Sequence, residues 1–169
     1  MSLFAPTFNT LRDLYLNELR DLYSAETQLI DALPEMAEAA TSPELKAAFN
    51  SHLQETRLHA QRLEQIFQAL GEDPSGETCQ AMKGLIKEGG DYVKAGGDDS
   101  VRDAGLIGAA QRVEHYEMAG YGTARALAMR LSETAAAKIL QTTLNEEGAA
   151  DKKLTAIAEG QVNTSASVS

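Results

Sequence analysis

Residues 52–67 read HLQETRLHAQRLEQIF, a helical pattern with an acid and an imidazole near its centre. Leu53, Leu63, Ile66 and Phe67 recur at helical spacing, and Leu45, Phe49 and Leu70 extend the same apolar face in both directions. Glu55 and His59 stand mid-helix, at a depth where a bundle core should be apolar. Three further segments do the same: Glu26 in DLYSAETQL (21–29), Glu114 and Glu117 in VEHYEMAGYGT (113–123), and Glu147 and Asp151 in LNEEGAADKK (144–153). An unpaired buried carboxylate costs several kcal/mol. Seven ionisable groups at one depth therefore call for a counter-charge, most simply two metal ions.

The elements around these segments follow from caps and breakers. Residues 8–40 read as one long helix, with Pro34 able to kink it. Thr41-Ser42-Pro43-Glu44 is a restart, with Ser42 as N-cap and Pro43 in the first helical position. The second helix runs to about Leu70, and Gly71 stops it. Residues 73–76 are loop, and 78–95 form a shorter helix ended by Gly96-Gly97. A third long helix starts at Ser100 and runs to about Leu131; Ser132 is expected to cap a fourth that ends near Glu159. The domain is placed at 1–160, and the small, polar tail 161–169 is expected to be disordered.

The turns near 41–42 and 131–132 are tight, so each joins antiparallel neighbours, while residues 71–99 can travel the length of the bundle. The fold class is all-α: a four-helix bundle of the ferritin-like, one-crossover kind, made of two antiparallel hairpins with a short fifth helix in the crossover. At about 1.5 Å per residue, every candidate group lies roughly 20–28 Å from its hairpin turn. Glu55 to Glu147 and His59 to Asp151 are both 92 residues apart, and Glu26 to Glu114 is 88, as if two halves built one pseudo-symmetric site.

Carboxylates dominate this set and thiolates are absent, which suits two iron ions, or manganese, rather than structural zinc. Glu26 and Glu114 fit terminal ligands, Glu55 and Glu147 bridging ones, and His59 and Asp151 would each complete one metal. Glu117, one turn from Glu114, is a seventh, mobile carboxylate. Such a pair of ions could react with O2 or peroxide. The competing reading is a non-catalytic structural or partner-binding bundle; iron storage would need a closed shell. Tyr23 and Tyr116 are either packing residues or donors near Glu26 and Glu114. His115 points elsewhere, and Gly120 and Gly122 suggest a close helix approach or an interface.

Composition narrows the function classes. The chain of 169 residues carries 25 acidic and 15 basic side chains, a net charge of -10, which argues against nucleic-acid binding. Cys79 is the only cysteine, MSLFAPTFNT lacks the features of a secretory signal, and no apolar run is long enough to span a membrane, so a reducing, cytoplasmic setting is expected.

DLYSAETQL (21–29), HLQETRLHAQRLEQIF (52–67), CQAMKGLIKEG (79–89), AAQRVEHYEMAGYGTARALA (109–128) and LNEEGAADKKLTAIA (144–158) together resemble the YciE/YciF family of bacterial ferritin-like proteins. The likeness covers nearly the whole chain except its termini. It implies a ferritin-like bundle, a homodimer, a distant relation to rubrerythrins and a link to stress responses. It also implies that Glu26, Glu55, Glu114, Glu117 and Glu147 match the rubrerythrin-like carboxylate pattern. One departure stands out. Rubrerythrins place acid and histidine three residues apart, whereas Glu55–His59 and Glu147–Asp151 are four apart, which rotates the second donor by about +40° rather than -60°. A π-bulge would correct this.

Overall fold

Several helix boundaries in this chain are set by capping side chains or left-handed residues. A computed structural model describes residues 7–167. Helix α1 spans Leu11–Ala39, opened by a capping box in which Thr10 Oγ1 accepts from Asp13 N–H and the Asp13 carboxylate accepts from Thr10 N–H. Pro34 lies inside α1. Helix α2 spans Pro43–Leu70, with Ser42 capping it and Gly71 (φ 69°) closing it in the left-handed region. Helix α3 spans Gln80–Val93, α4 Asp99–Arg130 and α5 Thr134–Ile157. There is no strand among the described residues, and no helix is long and apolar enough to cross a membrane.

α1 packs on α2 and α4, and α5 packs on α4 and α2, so the four long helices form a square with α3 laid over α1 and α4. The buried Asp103 carboxylate, near the start of α4, accepts hydrogen bonds from the Thr41 N–H (3.0 Å), the Thr41 hydroxyl (2.8 Å) and the Ser42 N–H (2.7 Å). That clasp puts the beginnings of α2 and α4 at one end of the bundle. At the other end Arg12, opening α1, lies 3.8 Å from Glu133, just before α5. α2 and α4 are therefore parallel, as a long crossover requires. The crossover is tied down by Cys79, whose N–H donates to Ser24 Oγ (3.0 Å) and whose sulfur caps α3.

Two expectations fail here. Ser132 does not cap α5. It takes the left-handed region (φ 63°), while Glu133 N–H donates to Ala128 C=O (2.9 Å), the closing bond of a Schellman turn at the end of α4. The tail does not fray at Gln161 either. A π-helical turn at Ala158–Val162 and helix α6 at Asn163–Ala166 continue the chain against α4, burying Val162. The first six residues of the expected domain and the last two of the expected tail lie outside the described residues.

The apolar core is divided. One cluster joins Leu29, Leu33, Leu45, Phe49, Leu106 and Ile107 toward the Asp103 clasp. The other joins Tyr15, Leu19, Leu63, Ile66, Phe67 and Leu140 toward the opposite end. Between them lies a belt of buried polar side chains. Gly120 lets α4 approach α1 there: a Cβ at this position would come within 2.8 Å of Leu22 Cδ2, whereas Gly122 faces open space.

Candidate metal centre

The belt is assembled from inward positions on all four long helices. α1 supplies Glu26, α2 His52 and His59, α4 Glu114 and Glu117, and α5 Glu147, every one of them buried. Their donor atoms form two groups, within each of which all atoms lie within 4.8 Å of one another. The first is His52, Glu114, Glu117 and Glu147; the second is Glu26, His59 and Glu147. Glu147 belongs to both, which is where a carboxylate spanning two cations would have to stand. His52 Nε2 is 3.2 Å from Glu114 Oε1, and His59 Nδ1 is 2.9 Å from Glu147 Oε1 and 3.4 Å from Glu26 Oε1.

The protein alone leaves this chemistry incomplete. Both oxygens of Glu117 and of Glu147, one each of Glu26 and Glu114, both nitrogens of His52 and Nδ1 of His59 are buried without a well-aligned hydrogen-bond partner. Orphaned buried polar atoms on this scale are rare in native proteins. Four carboxylates and two imidazoles are also the ligand inventory of di-iron and di-manganese helical bundles. The donor set therefore fits a metal site, although here both imidazoles come from α2 and two carboxylates from α4.

Without a cation, protons carry the compensation. Burial holds the Glu114 and Glu117 carboxyls well above the usual carboxylate range and raises Glu26 as well. Burial also opposes charge on the imidazoles, but neighbouring carboxylates outweigh it. Glu114 and Glu55 bring His52 up to about 9, and Glu147 and Glu26 bring His59 up to about 10. Tyr121 is buried too, and its hydroxyl donates a hydrogen bond to Glu26 Oε1.

Five of the seven expected ligands meet in the belt: Glu26, His59, Glu114, Glu117 and Glu147. Glu55 and Asp151 stand outside both groups. Glu55 is half-exposed and lies on the outer side of His52, 3.5 Å from Nδ1. One residue further on, Thr56 takes the inward position, and a step of one residue turns a helix by about 100°. Asp151 accepts from the Gln111 side-chain amide (3.0 Å) and sits 3.4 Å from the exposed His115. No π-bulge corrects the four-residue spacings: α2 and α5 are regular at 55–59 and 147–151. Neither sequence-adjacent tyrosine bonds to a belt carboxylate. Tyr23 donates to Glu64, and Tyr116 donates to Asp21 while touching Cys79 Sγ at 3.1 Å.

Comparison with known proteins decides the family. The model of the "Domain of unknown function (DUF892)" family matches residues 10–167. Protein YciF of Escherichia coli K12 is 43% identical over 158 residues, covering 93% of this chain and 95% of that protein. This chain belongs to the YciE/YciF family. The crystal structure of the E. coli stress protein YciF superposes on it with a TM-score of 0.89, covering 92% of this chain and 99% of that one. YcfI from Rhodopseudomonas palustris, described as a putative structural protein, is 45% identical with a TM-score of 0.86, over 90% and 98% of the two chains. A two-domain protein from Anabaena variabilis, with DJ-1/ThiJ/PfpI-like and ferritin-like domains, shares the fold alone: 17% identity, TM-score 0.60, 92% of this chain and 38% of that one.

Two belt residues of this YciE/YciF-family chain escape a search for acidic clusters. His52 lies seven residues before His59, two helical turns on the same face, and seven after the buried Leu45. Tyr121 lies seven after Glu114 and four after Glu117. In both cases spacing from a known inward residue is the usable signal. Glu146, beside Glu147, is partly exposed: it lies 2.9 Å from His59 Nε2 and is clasped by the Arg62 guanidinium, which holds its carboxyl below the usual range.

Proposed function

We propose that this YciE/YciF-family protein is a di-metal carboxylate protein that binds two iron ions, or manganese, per chain and reduces O2 or peroxide under oxidative stress. One observation carries the reading: two buried ligand groups share Glu147, and most of their oxygens and nitrogens lack a well-aligned hydrogen-bond partner. His52, Glu114, Glu117 and Glu147 would hold one ion, and Glu26, His59 and Glu147 the other. When bound, such ions would supply paired one-electron redox chemistry in the bundle interior.

The chain's own residues make that site usable. Glu147 places one carboxylate at the junction of the two groups. Glu117 has no fixed hydrogen bond on either oxygen, so it is free to change how it donates as the local charge changes. Tyr121 orients Glu26 through its hydroxyl. Glu146 occupies His59 Nε2, leaving Nδ1 to face Glu26 and Glu147. The two apolar clusters on either side shield the belt from both ends of the bundle.

Reconstitution of chelated protein with Fe(II) under anaerobic conditions tests this. The expected result is two ions per chain, both lost in Glu147→Ala, and oxidation of the loaded metal on adding O2 or H2O2. The description of the R. palustris relative as a putative structural protein favours a second reading, a bundle without metal chemistry. Wild-type protein that takes up no metal would establish that second reading. Loading without any oxidation would leave metal binding alone. A homodimer is part of the proposal and is tested by light scattering against the chain mass of 18.1 kDa.

A further inference from the structure

A cavity of about 140 Å³ opens among α1, α2, α4 and α5, and it ends on His52 and Glu114. We propose that this cavity seats the organic part of an alkyl hydroperoxide, with the hydroperoxide group directed at the His52 side of the belt. The inference rests on the di-metal reading above and names its substrate class.

Three observations support it. The walls are Leu33, Phe49 and Leu154, with Ala48 and Ala110 keeping the space open. A cavity of this size matches a ligand of about six carbons. The charged lining divides: at the floor His52 and Glu114 are buried, with orphaned atoms that belong to one of the two ligand groups, while Glu55, Glu146 and Lys153 stand at the more exposed mouth. The second group is not reached, since neither Glu26 nor His59 lines the cavity. The cavity therefore leads to one particular half of the belt.

The chemistry of floor and walls selects the ligand. At the mouth Glu55 and Glu146 outnumber Lys153, so a neutral ligand is favoured over an anionic one. Hydrogen peroxide would leave the apolar walls unfilled, whereas each CH2 buried against them favours binding about fourfold. In the reaction, the O–O bond of the hydroperoxide breaks as it takes up two electrons and two protons, leaving an alcohol and water. Two reduced metal ions held by the ligand residues would supply one electron each, rising by one oxidation state apiece, and solvent would supply the protons.

The first test needs no metal. Titration of the chelated protein with tert-butanol, the unreactive stand-in for tert-butyl hydroperoxide, should shift the methyl NMR resonances of Leu33, Ala48, Ala110 and Leu154. Ala150→Phe, which fills the half-buried mouth of the cavity, should weaken this at least tenfold; Ala48→Leu is the second variant. In Fe(II)-loaded protein, Ala150→Phe should slow oxidation by tert-butyl hydroperoxide at least tenfold and oxidation by H2O2 less than twofold. Unmoved methyl resonances, or equal slowing of both peroxides, overturns the proposal. The two readings fail separately. A chain that loads two ions but ignores tert-butanol defeats only the cavity assignment, and a chain that binds tert-butanol but no metal defeats the di-metal reading beneath it.

Discussion

His59 stands between two acids that are neighbours in sequence: Nε2 is 2.9 Å from Glu146 Oε2, and Nδ1 is 2.9 Å from Glu147 Oε1. Successive residues on α5 diverge by about 100°, so only a ring lying across the helix can touch both. The outer acid is clamped by Arg62, whose Nη2 donates to Glu146 Oε1 at 3.0 Å. The pair fixes the ring so that Nδ1 faces the buried groups, the role outer carboxylates play for metal-binding histidines.

Glu146→Ala is accordingly expected to lower metal affinity by about 10–100-fold, with Glu146→Gln falling between it and the parent. Competition with a chelator of known affinity measures this, and far-UV circular dichroism checks that the helices persist. Affinity unchanged in Glu146→Ala would remove Glu146 from the site.

His52 and Glu55 lie one turn apart on α2, yet only His52 belongs to a ligand group. His52→Ala should therefore lose one of two ions per chain, while Glu55→Ala keeps both, as read by elemental analysis after reconstitution. The opposite pattern would return Glu55 to the bridging position that its 92-residue separation from Glu147 suggests.

The pH dependence of the metal-free protein follows from the belt. Glu26, Glu114 and Glu117 have folded-state pKa values raised by burial, so their contribution is full below the unfolded carboxylate value and is lost as pH climbs through the folded values. His52 and His59, brought up to about 9 and about 10 against the opposing effect of burial, contribute fully below the unfolded imidazole value and lose that contribution as pH passes through 9 and 10. Both sets have the same sign. Chelated protein should thus be less stable to urea at pH 8.5 than at pH 5.5. Metal must displace these protons, so the stabilisation gained on adding Fe(II) or Mn(II) should be larger at pH 8.5. A chelated protein that gains stability with rising pH contradicts the argument.

Ser132 holds a left-handed backbone that glycine adopts without strain. Ser132→Gly should stabilise the fold by about 1 kcal/mol, the cost of placing an ordinary L-residue there. Chemical denaturation of the chelated forms provides the comparison. A destabilised variant would mean that the serine side chain has a role beyond its conformation.

Helix existence, the hairpin at 41–42 and the depth of the acidic belt were legible along the chain, because apolar spacing and caps such as Ser42-Pro43 and Gly71 act locally. Facing was not. Glu55 beside Thr56, and Glu146 beside Glu147, are pairs in which hydrophobicity cannot say which member turns inward, since a carboxylate breaks the apolar pattern either way. Only helix-on-helix packing settles a rotation of about 100°. The same holds for His52 and Tyr121, whose roles depend on partners 62 and 95 residues distant in the chain, at Glu114 and Glu26. Ser132 and the segment after Ile157 depended on bonds and burial made by the finished bundle: the Schellman closure on Ala128, and Val162 packed among residues of the apolar core. Local rules set where the helices run, and tertiary contact set which of their polar residues share the interior.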